Sequence, residues 1–103
     1  MQEGKQAFGD YLKEKADKVN YTKAMELANE LYPKMKKHMD ELASNGIKRY
    51  EFNEKQFKEL YRNSLYLSDL IQIITNKAKE DNMKFYRDEV ARDEYVFVID
   101  LRY

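Results

Sequence analysis

The chain has 103 residues, 43% of them hydrophobic and 37% charged, which is enough for one folded domain with a single core beneath a heavily charged surface. Lysine plus arginine balance aspartate plus glutamate at 19 each, so the broad positive field of a typical nucleic-acid-binding protein is missing. The absence of cysteine excludes disulfides, thiolate metal sites and cysteine nucleophiles.

No apolar run in the sequence is long enough for a signal peptide or a membrane span. The densest run, LYLSDLIQII at residues 65–74, is interrupted by Ser68, Asp69 and Gln72. We therefore expect a cytoplasmic protein with no membrane partner. The frequent use of lysine, asparagine and tyrosine is typical of AT-rich coding sequences, such as those of low-GC bacteria and their phages.

Two amphipathic patterns occupy the first 45 residues. Phe8, Leu12, Ala16 and Val19 predict a short helix over residues 5–19. The phase resets at Thr22, and a second helical pattern runs to the stop signal Asn45-Gly46. Because that pattern continues across Pro33, we favour one kinked helix, with Pro33 as the first residue of a new helix as the alternative. The stripe of this second pattern consists of Met25, Ala28, Tyr32, Met35, Met39 and Leu42.

A short strand is predicted at residues 47–52, followed by a strong helix-start signal. Asn53 is a suitable N-cap, and Gln56 stands three residues later, as in a capping box. Phe52, before the cap, is spaced to pack on Phe57 as a hydrophobic staple. The sequence therefore predicts a helix that begins near Glu54.

The length of that helix is ambiguous. Apolar residues between positions 65 and 74 cover most of a helix circumference, so this segment must be buried on more than one side. Either one long helix spans residues 54–80, or the chain turns near Asn63-Ser64 and a second helix starts with Ser68 or Asp69 as its N-cap.

Residues 83–103 predict a β-hairpin, because apolar residues alternate over residues 83–90 and 94–103. With no Asn-Gly or Asp-Gly pair, a looser loop around residues 91–93 is expected. One face of the last strand should join the core: Tyr95, Phe97, Ile99, Leu101 and Tyr103. The other face carries Val96, Val98, Asp100 and Arg102.

The predicted fold class is α+β, with three to four amphipathic helices and a small antiparallel sheet to which residues 47–52 could add a third strand. If the chain turns near residue 64, the order helix, strand, helix, helix, strand, strand resembles a winged-helix domain with one extra helix in front. That resemblance rests on element order over about 80 residues and on no residue motif. It implies that residues 68–80 form a recognition helix with Gln72, Asn76 and Lys79 on its outer face, where such side chains read bases or hold phosphates.

Catalytic groups are scarce. His38 is the only histidine, so one chain cannot form a histidine-based metal cluster, and we expect His38 to be structural. The three glycines lack the spacing of a phosphate-binding loop, and the carboxylates alternate with lysines and arginines as on a solvated surface. We therefore expect no enzyme activity, no cofactor, no metal and no small-molecule substrate.

The leading expectation is a protein-binding module, a regulator or inhibitor of the kind encoded by phages or mobile elements. Its partner would be another protein or a second copy, paired through a sheet edge. The predicted contact residues are Tyr50, Tyr86, Tyr95, Val96, Val98 and Tyr103. A DNA-binding regulator is the alternative, although the hairpin loop RDEVARDE would place four acidic residues beside a phosphate backbone.

Overall fold

The computed structural model describes residues 6–62 and 65–102. The described chain contains three helices, α1 (Phe8–Ala43), α2 (Glu59–Arg62) and α3 (Leu67–Glu80), and three strands, β1 (Arg49–Phe52), β2 (Lys84–Ala91) and β3 (Glu94–Asp100). The predicted α+β class is confirmed, and so is the order helix, strand, helix, helix, strand, strand.

The first two predicted helices are one helix of 36 residues, so the expectation of a separate helix at residues 5–19 was wrong. A shift in the phase of apolar side chains changes which face is buried but does not interrupt the backbone hydrogen bonds, and no glycine or proline lies between residues 10 and 32. Pro33 lies inside this single helix, as favoured above.

Two helices end in the same way. Beyond the last turn of α1, the Ile47 amide donates to the Leu42 carbonyl (3.2 Å) and the Gly46 amide donates to the Ala43 carbonyl (2.9 Å). These are the two bonds of a Schellman motif, and Gly46 has a φ of 82°. At the end of α3, Met83 and Asn82 make the equivalent bonds to Ala78 and Lys79, with Asn82 at a φ of 61°.

The helix predicted to begin near Glu54 does not form. The Gln56 amide does donate to the Asn53 side chain (3.1 Å), and the rings of Phe52 and Phe57 are in contact at 5.0 Å, so both local signals are present. They produce a single turn, and the α-helix begins only at Glu59. A cap determines how a turn begins, whereas its continuation depends on the tertiary contacts of the residues that follow.

Residues 54–80 do not form one long helix, because α2 ends at Arg62 and α3 begins at Leu67. The alternative of a single long helix was wrong. The N-cap of α3 is Tyr66, with no side-chain cap bond, so neither Ser68 nor Asp69 is the cap. Asp69 lies in the first turn, where its negative charge faces the positive end of the helix dipole.

The sheet order is β1-β3-β2, antiparallel throughout, so β3 is the central strand and residues 47–52 do supply a third strand. Arg92 and Asp93 alone separate the paired residues Ala91 and Glu94, so the hairpin loop is tighter than predicted. Asp93 takes a left-handed φ of 61°, a conformation that aspartate adopts more readily than most residues. A β-bulge between Glu89 and Ala91 accompanies the turn.

The core lies between one face of the sheet and the buried stripes of α1 and α3. On β3, Phe97 and Ile99 face it as predicted, whereas Tyr95, near the start of the strand, and Leu101, just after its end, are exposed. Tyr103 lies outside the described residues. The Phe97 ring stacks on Phe85 at 5.5 Å and meets Tyr61 edge-on at 5.2 Å. The core residues of α1 are Ala24, Ala28, Leu31, Tyr32, Met35 and Met39.

The molecule is elongated. Its principal extents are 63 × 31 × 23 Å and its radius of gyration is 17.1 Å, whereas a compact domain of about 100 residues has a radius of gyration of about 13 Å. Because the first buried residue of α1 is Ala24, the preceding half of the helix projects beyond the core. We call residues 8–23 the arm.

Candidate interaction surfaces

A network of charged side chains covers the sheet face that points away from the core. Arg49 on β1 reaches across the central strand and pairs with Asp88 on β2 at 2.6 Å, and it also pairs with Glu51. Val98 on β3 lies beneath this crossing and is fully buried, although it does not face the core. The outer face is therefore polar, and its apolar centre is covered by the chain itself.

Asp100 holds the C-terminal end of this face together. Its carboxylate accepts hydrogen bonds from the Arg102 amide (2.9 Å), from the Arg102 Nε (3.0 Å) and Nη2 (3.0 Å), and from the Tyr86 hydroxyl (3.1 Å). The Arg102 side-chain bonds are the largest cause that holds the pKa of Asp100 far below its usual value, with the amide bond and Tyr86 acting in the same direction.

Tyr61 has a structural role that sequence reasoning missed. Its hydroxyl donates to the Phe52 carbonyl and accepts a hydrogen bond from the Phe97 amide (3.2 Å). Phe52 and Phe97 are partners in the ladder between β1 and β3, so one hydroxyl joins α2 to both strands. Burial raises the pKa of Tyr61 above its usual value. No pattern around Tyr61 indicated this role, because both of its partners are backbone groups of distant strands.

The predicted protein-contact residues do not form one patch. Tyr86, Val96 and Val98 lie on the outer face, where Tyr86 is half-buried and Val98 offers no exposed surface. Tyr50 is buried in the core, and Tyr95 is exposed on the opposite face from Val96. Tyr103, the remaining predicted contact, lies outside the described residues. A contact role for each of these residues stays a prediction.

The edge of β3 that would stay open if only the hairpin formed is paired with β1. Both edges of β3 are paired, so the outer edges of the sheet belong to β1 and β2. A partner that adds a strand would therefore meet the four-residue β1 or the eight-residue β2. Arg87 on β2 lies over the Tyr95 ring at 4.6 Å.

The three residues predicted for the outer face of α3 do lie on it. Gln72, Asn76 and Lys79 are all exposed, and the Gln72 amide points to the Asn76 side chain at 3.4 Å. A groove of about 640 Å³ separates this helix from β2. Its lining combines Ile71, Phe85 and Phe97 with Ser68, Thr75 and Arg87.

The hairpin tip is acidic. Glu89, Asp93 and Glu94 are exposed there together with Arg92, and the Glu89 carboxylate accepts a hydrogen bond from the Asp93 amide at 3.2 Å. A groove of about 570 Å³ at the base of the hairpin has a mainly acidic lining, in which Glu54, Asp93 and Glu94 outnumber Arg87 around Val90 and Tyr95. This region repels a phosphate backbone.

The arm exposes a second apolar stripe. Phe8 is 72% exposed, Leu12 48% and Val19 47%. At 3.6 residues per turn, their shared direction differs by about 170° from that of the buried stripe that begins at Ala24. The phase reset at Thr22 therefore corresponds to a change of face within one helix.

His38 packs against the rings of Phe52 (5.7 Å) and Phe57 (5.5 Å), in an aromatic cluster beneath α1. Within residues 6–62 and 65–102, no group of three or more potential metal ligands is found. In the same ranges, no helix combines the length and the apolar character that crossing a membrane requires.

No family model, no curated protein and no solved structure gives a significant match to this chain.

Proposed function

We propose that this chain is a non-catalytic protein-binding module, and that the arm is its principal contact surface. It would act in the cytoplasm as a small regulator or inhibitor of the type that phages and mobile elements encode. The exposed stripe of the arm is the observation that carries the proposal. A helix that projects from its own core and presents Phe8, Leu12 and Val19 to solvent gains stability when another chain covers it.

The hairpin supplies a second contact surface. Tyr95 and Val90 are exposed beside the acidic side chains of the 570 Å³ groove, and Val96 is half-buried in its lining. Tyrosine buries much area on binding while its hydroxyl stays paired with water or with a polar group. A partner that contacts this surface would carry basic residues opposite Asp93 and Glu94.

The protein-binding function can be tested with two variants of equal charge change. Val19→Glu places a carboxylate in the stripe, and Tyr21→Glu places one at a site of similar exposure (50%) on a different face of the same helix. We expect wild-type protein and Tyr21→Glu, but not Val19→Glu, to associate through the arm with a protein, whether a second copy or one captured from a cell lysate. If Val19→Glu changes neither kind of association, the arm is not a binding surface.

DNA binding is the second candidate, and the exposed row on α3 is the observation that favours it. Gln72 and Asn76 are side chains that pair with adenine, and the adjoining groove lies between α3 and the hairpin. The neutral net charge and the acidic hairpin tip oppose it, since phosphate neutralisation supplies most non-specific affinity.

The DNA-binding candidate predicts retention on mixed duplex DNA at low salt, with a steep loss as salt rises. Gln72→Ala and Asn76→Ala would then lose site preference, whereas Asn29→Ala, an exposed position on α1, would not. Absence of retention at low salt removes this candidate.

A further inference from the structure

We propose that the outer edge of β2 pairs with the same edge of a second copy, antiparallel and about a two-fold axis at Tyr86, so that two three-stranded sheets join into one. We call residues 84–88, on the side that faces away from β3, the β2 edge. This surface is separate from the arm, so its pairing goes beyond the proposed function.

Hydrogen bonds of the central strand show which way its backbone groups point. The Phe97 amide donates to the Tyr61 hydroxyl on the side of β1 (3.2 Å), and the Leu101 amide donates to the Lys48 carbonyl before β1 (2.9 Å). In an antiparallel ladder, alternate residues of a central strand bond to opposite neighbours. The odd-numbered residues of β3 therefore bond toward β1, and the even-numbered residues bond toward β2.

The same alternation fixes the backbone direction on β2. Phe85 and Arg87 are paired with odd-numbered residues of β3, so both belong to non-hydrogen-bonded pairs. Their amides and carbonyls point away from β3, toward the open side of the sheet. Within residues 6–62 and 65–102, no strand pairs with that side of β2. Phe85 and Arg87 thus present donors and acceptors with the spacing that an added strand requires.

The β2 edge is bounded at both ends. On one side, Asn82 takes a left-handed φ of 61° before the strand starts at Lys84, and on the other the β-bulge between Glu89 and Ala91 disturbs the ladder. The regular segment is therefore residues 84–88, and its midpoint is Tyr86. The opposite edge of the sheet belongs to β1, which has only four residues.

The charges of the β2 edge are self-complementary about Tyr86. Lys84 and Asp88 lie two residues to either side of Tyr86, on the outer face of the sheet. A two-fold axis at Tyr86 places Lys84 of each copy opposite Asp88 of the other, so the interface contains this pair twice. Arg49 binds Oδ2 of Asp88, whose side chain is still 46% exposed. Opposite charges at these positions indicate a second copy as the occupant.

Neighbouring registers lack this match. An axis at Arg87 would place Arg87 opposite its own copy, and an axis at Asp88 would place two carboxylates opposite one another. An axis at Phe85 would leave Lys84 opposite Tyr86, without a partner charge. Electrostatics therefore favours the axis at Tyr86 over a shift of one residue in one direction and of one or two in the other.

The groove beside the β2 edge leaves room for the second strand. About 640 Å³ of open space separates β2 from α3, so the helix does not close over the edge. Phe85 and Arg87 both line this groove, and in the symmetric register Arg87 of one copy lies directly opposite Phe85 of the other. A guanidinium beside an aromatic ring is favourable. Because the axis is perpendicular to the sheet, the two α3 helices lie on either side of the seam.

The size of the β2 edge predicts a weak dimer. Each of the two symmetric pairs of Phe85 with Arg87 exchanges two backbone hydrogen bonds, and such main-chain bonds supply much of the affinity when a strand is added to a sheet. The paired segment is short, as in transient complexes. We expect a reversible dimer with a Kd between about 1 μM and about 1 mM.

Sedimentation equilibrium of the full chain over that concentration range tests the proposal. We expect Lys84→Glu to weaken the dimer by at least about tenfold, because two attractive pairs become two repulsive ones. Lys34→Glu, an equal change of charge at an exposed position of α1, should stay within about twofold of wild type. Circular dichroism of both variants checks that the secondary structure is unchanged.

A charge exchange tests the register. Asp88→Lys should also weaken the dimer, whereas a mixture of Lys84→Glu and Asp88→Lys restores both opposite-charge pairs in the mixed dimer. We expect that mixed dimer to be at least about tenfold tighter than either homodimer. A mixture of Lys34→Glu and Asp88→Lys restores one pair and should bind more weakly. Equal affinity of the two mixtures would contradict the pairing of Lys84 with Asp88.

Disulfide trapping gives a second test that does not depend on charge, because the natural chain has no cysteine. Tyr86→Cys should oxidise to a dimer, since non-hydrogen-bonded partners have Cα atoms about 4.5 Å apart. Two copies of Asp88→Cys would lie about 13 Å apart along the strands and should not be bridged. Efficient crosslinking of Asp88→Cys to itself, without crosslinking of Tyr86→Cys, would overturn the register.

The remaining outcomes separate the β2 edge from the arm. A monomer at all concentrations overturns pairing with a second copy, and it leaves the proposed function to the test with Val19→Glu. A dimer that Lys84→Glu leaves unchanged overturns pairing through the β2 edge. If Val19→Glu weakens that same dimer, the arm is the contact between the copies.

Discussion

Tyr61 shows how much of this fold depends on one polar atom. Its hydroxyl satisfies the Phe52 carbonyl and the Phe97 amide, which face each other across two strands. Without that hydroxyl, both backbone groups would lose a hydrogen bond in a partly buried position. The short helix α2 thus positions an atom that the sheet requires.

Tyr61→Phe removes only this atom. We expect it to lower the free energy of unfolding by about 1–3 kcal/mol, the cost of leaving buried polar groups unpaired. Urea unfolding followed by circular dichroism measures the change. Tyr21→Phe, at an exposed position, is the matched control and should stay within about 0.5 kcal/mol of wild type. Equal stability of the two variants would show that water replaces the hydroxyl at no cost.

Gly46 is the other residue whose backbone requirement can be tested. Its φ of 82° is unfavourable for a residue with a Cβ, although a Cβ there would meet no atom within 4 Å. Gly46→Ala should therefore destabilise the fold by about 1 kcal/mol through backbone conformation alone. Gly46→Asn should cost less, because Asn82 adopts the same conformation at the end of α3. Thermal unfolding measures the stability of both variants. An equal loss of stability in Gly46→Ala and Gly46→Asn would show that the left-handed backbone conformation is not the cause.

At the scale of elements, α1 consists of two halves with different roles. Residues from Ala24 onward build the core, whereas the arm has no buried side chain and only Asn20 is half-buried. Most helical stability in proteins comes from the packing of one face. The arm is helical because it continues a helix that the core has already nucleated.

A chain that lacks residues 1–19 should therefore still fold. We expect its free energy of unfolding, measured in urea at low protein concentration, to lie within about 1 kcal/mol of the full chain, because residues 6–19 contribute no buried side chain. The dependence of this free energy on urea concentration should decrease slightly, because the shorter chain exposes less surface on unfolding. Loss of a cooperative transition would mean that the arm is part of the folding unit.

The segment from Asn53 to Arg62 shows how little of a helix the local start signals determine. The cap at Asn53 and the contact between Phe52 and Phe57 are both present, yet they produce one turn. The next residues are held by contacts made elsewhere in the chain: Phe57 packs on His38, and Tyr61 binds the two strands. Those contacts join residues far apart in sequence, so no local pattern reveals them.

At the scale of the whole molecule, the outer face of the sheet couples stability to pH. Asp100 has a pKa far below the unfolded value of about 3.9, because Arg102 and Tyr86 favour its charged form. A group with a lowered pKa stabilises the fold above its unfolded pKa, and that contribution is lost as the pH falls through the folded pKa. The stabilisation by the Asp100 charge is therefore lost at acidic pH.

We expect wild type to be more stable than Asp100→Asn at pH 7, with the difference narrowing below a pH of about 4. Thermal unfolding over a pH series measures it. The difference in stability between wild type and Arg102→Gln should also narrow in acid, by a smaller amount, because this substitution removes the largest cause of the lowered pKa of Asp100. A difference that stays constant from neutral to acid pH would contradict the role of the Asp100 charge.

The sequence by itself determined the fold class, the positions of β2 and β3, the continuation of the helix across Pro33, and the exposed row Gln72, Asn76 and Lys79. These features follow from periodicity and from end signals such as Gly46, which act between residues near one another in the chain. The two apolar stripes of α1 were also readable, as was the change of phase between them.

The tertiary structure alone decided what those stripes meet. It placed the core on one face of α1 and left the other stripe in solvent, closed both edges of β3, and buried Val98 under Arg49 rather than under a partner. It also joined Tyr61 to two strands. Each of these outcomes depends on contacts between segments distant in sequence, and the periodicity of a segment shows which side is apolar but not what will cover it.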